Sequence, residues 1–165
     1  MNPISNRPID HPVKNEVEYL DDFEAGRTYE LGSFTLTEAE IIDFATQFDP
    51  QVFHVDPEAA KDSVFGGLIA SGWHTVGCVM RLMVDNLIPA KSALGSPGID
   101  HLRWLKPVRP GIEYRAVYTV DSVRDSKSKP DRGMITTTTD LFDPDGEKVM
   151  TFRGVGMYLK RPVDD

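Results

Sequence analysis

The chain has 165 residues, of which 18 are Lys or Arg and 26 are Asp or Glu, giving a formal net charge of −8. This acidic balance argues against a nucleic-acid-binding protein, although a few local cations would suffice to bind a small anion. With 40% hydrophobic and 27% charged residues, the composition is typical of one globular domain of roughly 150 residues. The only cysteine, Cys78, excludes an intrachain disulfide and a thiolate metal cluster and favours a reducing, cytoplasmic setting.

The N-terminal segment, residues 1–16, is predicted to be a flexible arm, because three prolines interrupt a polar stretch that lacks the apolar region of a signal peptide. Residues 17–162 are then expected to form a single domain. The most apolar stretch, residues 64–89, contains Arg81 and Asp85. A membrane span needs about 20 mostly uncharged apolar residues, so this stretch is interpreted as a buried helix and no membrane partner is expected.

The first predicted elements are a strand and a capped helix. Residues 28–35 carry an imperfect alternation that predicts a short strand. Thr37 precedes Glu40 by three positions, a capping-box pattern that predicts the start of a helix. This helix is expected to end near Phe48, because Pro50 disfavours the helical conformation of the residue before it.

The middle of the chain is predicted to contain an irregular loop, a brief helix and a long helix. The loop covers residues 49–56, and Asp56 is a predicted N-cap for a short helix over residues 57–61. Apolar residues then recur every three or four positions, which predicts a helix over residues 70–87, roughly 27 Å long and covered over most of its surface. Pro89 ends it.

The C-terminal third is predicted to be β-structure. The charged run from Asp121 to Arg132 is expected to be an exposed loop, and the sequence Asp-Pro-Asp-Gly ending at Gly146 predicts a tight turn. One buried helix packed against a mostly antiparallel sheet makes the predicted fold class α+β. The strands are expected over residues 99–105, 112–120, 134–142 and 149–159.

The candidate chemistry lies in the loop after the first helix. Asp49 and His54 are five positions apart across a turn that is predicted not to be helical, so both side chains can face one small volume. A carboxylate beside an imidazole can move a proton to and from water near neutral pH. The spacing also fits a structural alternative, in which Asp49 caps a change of chain direction and His54 is a hydrogen-bonded loop residue.

A glycine-bearing segment, residues 66–73, leads into the long helix. Free N–H groups at a helix N-terminus can stabilise a developing oxyanion. Tight packing of the helix against a strand is a second explanation for the glycines, and the two are compatible. His74, just after this segment, is expected either to line a pocket or to be a buried, hydrogen-bonded histidine.

Three segments of the chain are informative when taken together. They are Phe44-Ala-x-x-Phe-Asp49-x-x-x-x-His54-x-Asp-Pro-Glu-Ala-Ala60, Phe65-Gly-Gly-Leu-Ile-Ala-Ser-Gly72 and Leu105-Lys-Pro-Val-Arg-Pro-Gly111. These segments resemble the MaoC-like dehydratases, which include the (R)-specific enoyl-CoA hydratases, and the resemblance covers roughly residues 20–162. It implies a hot-dog fold, in which an antiparallel sheet wraps around a long central helix. It also implies a homodimer whose sheets join, with the active site near the dimer interface.

Carried over residue by residue, the resemblance assigns three roles. Asp49 and His54 match the family's catalytic pair, which holds and activates a water that adds to C3 of an enoyl thioester. Gly72 matches the glycine whose N–H binds the thioester oxygen. Ser71 and Trp73 flank this glycine and are expected pocket residues. No metal or redox cofactor is required, and CoA enters only as part of the substrate.

The sequence departs from the family pattern at several positions, which leaves the acyl group undetermined. Gln51 and Val52 stand where the family usually has Asn-Pro, and Ser71 stands where His is common. A short, branched or carboxylated acyl group would suit such a pocket. A basic group near the end of one strand is either a solvated edge or a contact for CoA phosphates; it comprises Arg103, Lys106 and Arg109.

The predicted function is therefore that of a hydro-lyase acting on an enoyl-CoA or 3-hydroxyacyl-CoA thioester, with an acyl carrier protein as the alternative carrier. Two other functions stay open at this point. A hot-dog thioesterase would direct a carboxylate-activated water at the carbonyl carbon. A non-catalytic acyl-CoA-binding or partner subunit would keep the fold without turnover.

Overall fold

The structure, a computed structural model, describes the backbone of residues 5–7 and, in full, residues 16–163. Most of the arm predicted at residues 1–16 lies outside the described residues, so its flexibility stays a prediction. Strand β1 (Ser5–Arg7) pairs antiparallel with β2 (Thr28–Thr35), the first strand that the sequence predicted.

Within the described residues, six strands form one antiparallel sheet in the order β1-β2-β4-β5-β6-β3. Burial alternates along β4 and β5, because successive side chains of a strand point to opposite faces. One face therefore packs on the core while the other meets solvent, and β3 forms an edge of the sheet. The remaining strands are β3 (Ile99–Trp104), β4 (Glu113–Asp125), β5 (Arg132–Phe142) and β6 (Lys148–Leu159).

The capping box predicted before the first helix is confirmed. The Glu40 N–H donates to the Thr37 hydroxyl at 3.2 Å, and the Thr37 N–H donates to the Glu40 carboxylate at 2.7 Å. Two of the N–H groups that a helix start leaves without partners are thereby satisfied. The helix that follows is α1 (Glu38–Phe48), which ends where the sequence predicted.

The predicted irregular loop over residues 49–56 is wrong in part, because its second half forms a short helix, α2 (Val52–Val55). The next helix, α3 (Pro57–Ala60), begins as predicted after Asp56, whose side chain accepts the N–H groups of Glu58 and Ala59 at 3.0 Å each. Two short helices therefore follow α1 in immediate succession.

The long helix, α4 (Gly72–Asn86), begins two residues later than predicted and is about 22 Å long. Residues 64–71 are not helical, because their backbone bonds to distant segments instead: the Ala70 N–H donates to the Val108 carbonyl at 2.8 Å. Among the described residues, no helix is long and apolar enough to cross a membrane.

One side of α4 packs into the core, and residues on its other side are exposed in the single chain that the structure describes. Cys78, Val79 and Leu82 are fully buried among the apolar residues of the sheet. Met80 and Val84, in contrast, are more than two-fifths exposed. The 3.6-residue period identifies apolar positions but does not tell which of them another element covers.

The prediction that the charged run from Asp121 to Arg132 forms one exposed loop is wrong. Residues 121–125 complete β4 and Arg132 begins β5, so only residues 126–131 connect the strands. The Thr138 hydroxyl donates to the Asp121 carboxylate at 2.8 Å across the exposed face of the sheet. The strands can therefore include these charged residues, because their side chains lie on the solvent face of the sheet and no charge has to be buried.

Candidate active site

His54 is held by its backbone and by one ring nitrogen. Its N–H donates to the Gln51 carbonyl at 2.8 Å, within the turn that forms α2. Its Nδ1 lies 2.7 Å from the carbonyl oxygen of Ile69. Because a carbonyl oxygen can only accept, Nδ1 carries a hydrogen and donates it. The residue is 5% exposed, and Nε2 faces Asp49.

Asp49 lies at the C-terminal end of α1, where its N–H donates to the Ala45 carbonyl at 2.8 Å. Its Oδ2 is 3.3 Å from Nε2 of His54 and accepts the Ser71 hydroxyl at 2.7 Å. Its other oxygen, Oδ1, accepts the side-chain amide of Gln51 at 2.7 Å. Both carboxylate oxygens thus have a fixed donor, and Oδ2 is the one shared with the imidazole.

The surroundings of Asp49 favour its ionised form. Partial burial, the largest single influence, would raise the pKa of this carboxyl. Hydrogen bonds from Ser71 and Gln51 and the attraction of His54 act in the opposite direction and together hold the pKa below its usual value. The carboxylate is therefore charged at neutral pH and can attract a proton from a water molecule.

Asp49 and His54 open into a cavity of about 480 Å³. The predicted residues Gly72 and Trp73 line it too, so the structure brings these four together. Most of the remaining wall is apolar, as in pockets for small organic ligands. The apolar wall includes Phe53, Phe65, Ile69, Trp104, Leu105 and Val108.

Gly72 is the first residue of α4, so its N–H has no partner four residues earlier within the helix. Trp104 of β3 packs directly over it: an ideal Cβ on residue 72 would be 2.6 Å from the indole Nε1. Trp104 also meets Trp73 edge to face, with ring centroids 5.5 Å apart. A helix N-terminus and two indoles therefore form the wall near Asp49 and His54.

Ser71 and His74 are placed differently from the other predicted residues. Ser71 is fully buried and is not among the residues lining the cavity; it supports Asp49 from behind. His74 does not line the cavity either, and stacks on Phe44 of α1 at 4.4 Å between ring centroids. Its Nδ1 is buried with no hydrogen-bond partner, so it also differs from the hydrogen-bonded histidine of the other prediction.

The three predicted basic residues have different partners, and of them only Lys106 lines the cavity. Its ammonium group pairs with Glu147 and, at 3.8 Å, with Asp143. Arg109 donates instead to the backbone carbonyl of Phe65, and Arg103 donates to that of the adjacent Leu102. Arg109 thus ties together two segments that line the cavity.

Two residues near the centre of this arrangement had no assigned role from the sequence. Gln51 sits between Asp49 and His54 in the chain, and its position there was the available signal. Trp104 contacts Gly72 only because the pairing of β3 with β6 brings the end of β3 to the start of α4. No local sequence pattern encodes such a contact.

Comparison with known proteins identifies this set of elements. The family described as "MaoC like domain" matches residues 22–140. The chain belongs to this family. All of the cavity-lining residues named above lie within the matched segment. The resemblance inferred from the sequence is thereby confirmed.

Two curated relatives of this MaoC-like domain extend the comparison. The uncharacterized protein YdeM of Bacillus subtilis is 29% identical over 144 residues, which cover 86% of this chain and 99% of YdeM. The 3-hydroxyacyl-thioester dehydratase Z of Mycobacterium tuberculosis is 31% identical over 110 residues, which cover 65% of this chain and 72% of the dehydratase.

Two solved structures share the fold of the MaoC-like domain. A MaoC-like dehydratase from Rhodospirillum rubrum superposes with a TM-score of 0.82 at 38% identity, covering 89% of this chain and all of the other. The (R)-hydratase from A. caviae, involved in PHA biosynthesis, superposes with a TM-score of 0.68 at 28% identity, covering 85% and 98% of the two chains. The sheet packed on α4 is thus the hot-dog fold predicted from the sequence.

Proposed function

We propose that this MaoC-like domain adds water to a 2-enoyl thioester, or removes it from a 3-hydroxyacyl thioester, with Asp49 and His54 as the catalytic residues. The contact of 3.3 Å between Asp49 Oδ2 and His54 Nε2, at the wall of a cavity that also contains Gly72, carries this proposal. The names of the M. tuberculosis dehydratase and the A. caviae (R)-hydratase support the reaction class.

In the hydration direction, a water held between Asp49 and His54 gives a proton to the pair while its oxygen forms a bond to C3 of the thioester. The π electrons of the C2–C3 double bond shift towards the carbonyl, and the resulting enolate oxygen accepts the Gly72 N–H. The pair then returns a proton to C2. One water has been added, and the pair regains its initial protonation state; dehydration is the reverse.

The tautomer of His54 supports this division of roles. Since Nδ1 donates to the Ile69 carbonyl, Nε2 is the ring atom that can take up and release a proton on the cavity side. The Ser71 hydroxyl and the Gln51 amide keep a negative charge on Asp49. The pair can then remove a proton from water without a metal or redox cofactor.

We propose that the thioester carrier is CoA, and turnover of the CoA thioesters in the assay described below tests this.

We also propose that two copies of the domain join through β3. The edge strand β3 exposes Ile99, which lies with Met80 and Val84 of α4 around an apolar cavity of about 220 Å³. An exposed sheet edge with apolar neighbours favours pairing with another strand. Light scattering after size exclusion should give a dimer, and Ile99→Lys should give a monomer; a monomeric wild type contradicts the dimer.

The reaction is tested by the loss of enoyl-thioester ultraviolet absorbance on crotonyl-, octenoyl-, 2-methylbutenoyl- and mesaconyl-CoA, with thiol release followed in parallel. Absorbance loss without thiol, reduced about 100-fold or more by Asp49→Asn, is expected. Thiol release would instead identify a thioesterase. Thermal stabilisation by the same thioesters without turnover would identify a binding protein.

A further inference from the structure

Gln51 makes three hydrogen bonds to the two catalytic residues. Its side-chain Nε2 donates to Asp49 Oδ1 at 2.7 Å, and its backbone N–H donates to the Asp49 carbonyl at 2.8 Å. Its own carbonyl accepts the backbone N–H of His54 at 2.8 Å. Gln51 is thus the residue that connects the carboxylate to the short helix carrying the imidazole.

We propose that Gln51 is a positioning residue, whose side-chain amide fixes the Asp49 carboxylate so that Oδ2 faces His54 Nε2. This inference rests on the proposed function, because it assigns a role in that reaction. The backbone bonds of Gln51 survive any substitution that keeps the turn. Only the bond from its side chain is therefore specific to glutamine.

The carboxylate requires a second donor because its last torsion is soft. Rotation about the bond to the carboxyl carbon is broad, so the plane of the carboxylate can turn. The Ser71 hydroxyl bonds one oxygen only, and the group can still rotate about that single contact. A second donor on the opposite oxygen, supplied by Gln51, fixes the plane and keeps one oxygen directed at His54 Nε2.

The same bond also stabilises the charge of Asp49. Partial burial of this carboxyl acts to raise its pKa, and the bonds from Ser71 and Gln51, with His54, lower it overall. Lys106 is the other charged side chain lining the cavity in the described part of the chain, and it is paired with Asp143 and Glu147. Loss of the Gln51 amide should therefore raise the pKa of Asp49, because Lys106 is already paired and does not replace the lost donor.

Two variants and a matched control separate this role from a general structural one. Gln51→Leu removes the amide and keeps a side chain of similar size, whereas Gln51→Glu places a second carboxylate against Asp49. Gln51 is exposed, so both variants should fold. Gln47→Leu is the control, because Gln47 is also exposed and its amide bonds only the backbone carbonyl of Asp43, at 3.3 Å.

The first measurement does not depend on turnover. A ¹³C NMR titration of the Asp49 carboxyl, assigned with Asp49→Asn, should give a higher pKa in Gln51→Leu and a higher one still in Gln51→Glu. Gln47→Leu should match the wild type. An Asp49 pKa that does not change in either Gln51 variant overturns the proposal.

The second measurement is the pH profile of hydration. Gln51→Leu should lower kcat about 10- to 100-fold with KM within about twofold, since a hydrogen bond to a charged group is lost. The acid limb of kcat should move to higher pH. A rise in KM with unchanged kcat would make Gln51 a substrate contact instead and would overturn the positioning role.

Failure of the proposed function gives a different result. A wild type that hydrates none of the four thioesters contradicts the reaction, whatever the variants do. The NMR titration then decides by itself whether Gln51 fixes the ionised Asp49. If that titration also shows no change of the Asp49 pKa in either Gln51 variant, both proposals are wrong.

Discussion

Gly72 packs so closely against the indole of Trp104 that no side chain fits between them. An ideal Cβ at position 72 would lie 2.6 Å from Nε1 and 2.7 Å from Cζ2 of the indole. The absence of a side chain therefore lets the edge strand β3 approach the first turn of α4. Gly72 itself lines the cavity, where the proposed reaction needs its N–H.

Gly72→Ala is expected to lower the free energy of unfolding by about 1–3 kcal/mol, because the added methyl group overlaps the indole. Replacing Trp104 with Ala in the same protein should recover part of that loss. Gly77→Ala is the control: nothing lies within 4 Å of its Cβ, so it should stabilise α4 by up to about 1 kcal/mol. Urea unfolding of the four proteins measures these differences, and equal effects at positions 72 and 77 would contradict the packing argument.

Asp49→Asn should change how stability depends on acidity. The pKa of Asp49 is lowered in the folded protein from the ordinary value of 3.8. The contribution of ionised Asp49 to the free energy of unfolding is therefore complete above pH 3.8. It is lost as the pH falls through the lower pKa of the folded state. The stability difference between wild type and Asp49→Asn should therefore shrink as the pH is lowered from about 5 to below 3.8. A difference that stays constant over this range would contradict the lowered pKa.

His74→Phe should remove a different pH dependence. Burial lowers the pKa of His74 below 6.5, with Glu40 and Asp43 acting weakly in the opposite direction. The unfolded chain then binds the proton more readily, so wild-type stability should fall as the pH drops below about 6.5. Phenylalanine keeps the stacking on Phe44 and carries no titrating group. The difference in free energy of unfolding between pH 7.5 and pH 5.5 should therefore be smaller in His74→Phe than in the wild type. An equal difference in the two proteins would contradict the lowered pKa of His74.

Arg109→Leu should disturb the cavity wall rather than the chemistry. The guanidinium donates to the Phe65 carbonyl, 44 positions away in the chain. Losing a charged donor to a half-buried carbonyl costs about 1–3 kcal/mol of stability. Because Phe65 lines the cavity, KM for the thioester should rise more than kcat falls. Arg103→Leu is the control, since Arg103 bonds only the carbonyl of its neighbour Leu102. Equal kinetic effects of Arg109→Leu and Arg103→Leu would contradict a role of the Arg109–Phe65 bond in shaping the cavity.

Local features of the sequence predicted much of the fold. The capping box of Thr37 and Glu40 and the N-cap at Asp56 depend on atoms within four residues of each other, and both form as predicted. The turn ending at Gly146 forms too: its N–H donates to the Asp143 carbonyl at 3.0 Å, with φ of +81°. Such short-range interactions need no other part of the chain.

Asp49 and His54 belong to the same class of local feature. They are five residues apart, and one turn of backbone hydrogen bonds brings them together. Their candidacy was therefore visible in the sequence before any long-range contact was known. The sequence also established the acidic charge and the resemblance to the MaoC-like family.

The tertiary structure alone decided how that pair is supported. Ser71 reaches Asp49 across 22 positions, and the Ile69 carbonyl that selects the His54 tautomer is 15 positions away. The start of α4 at Gly72 follows from the long-range bond of the Ala70 N–H to the Val108 carbonyl. The indole of Trp104 packs on Gly72 because β3 pairs with β6. Sequence periodicity describes neighbours along the chain, whereas the wall of a cavity is built from segments that only the folded sheet brings together.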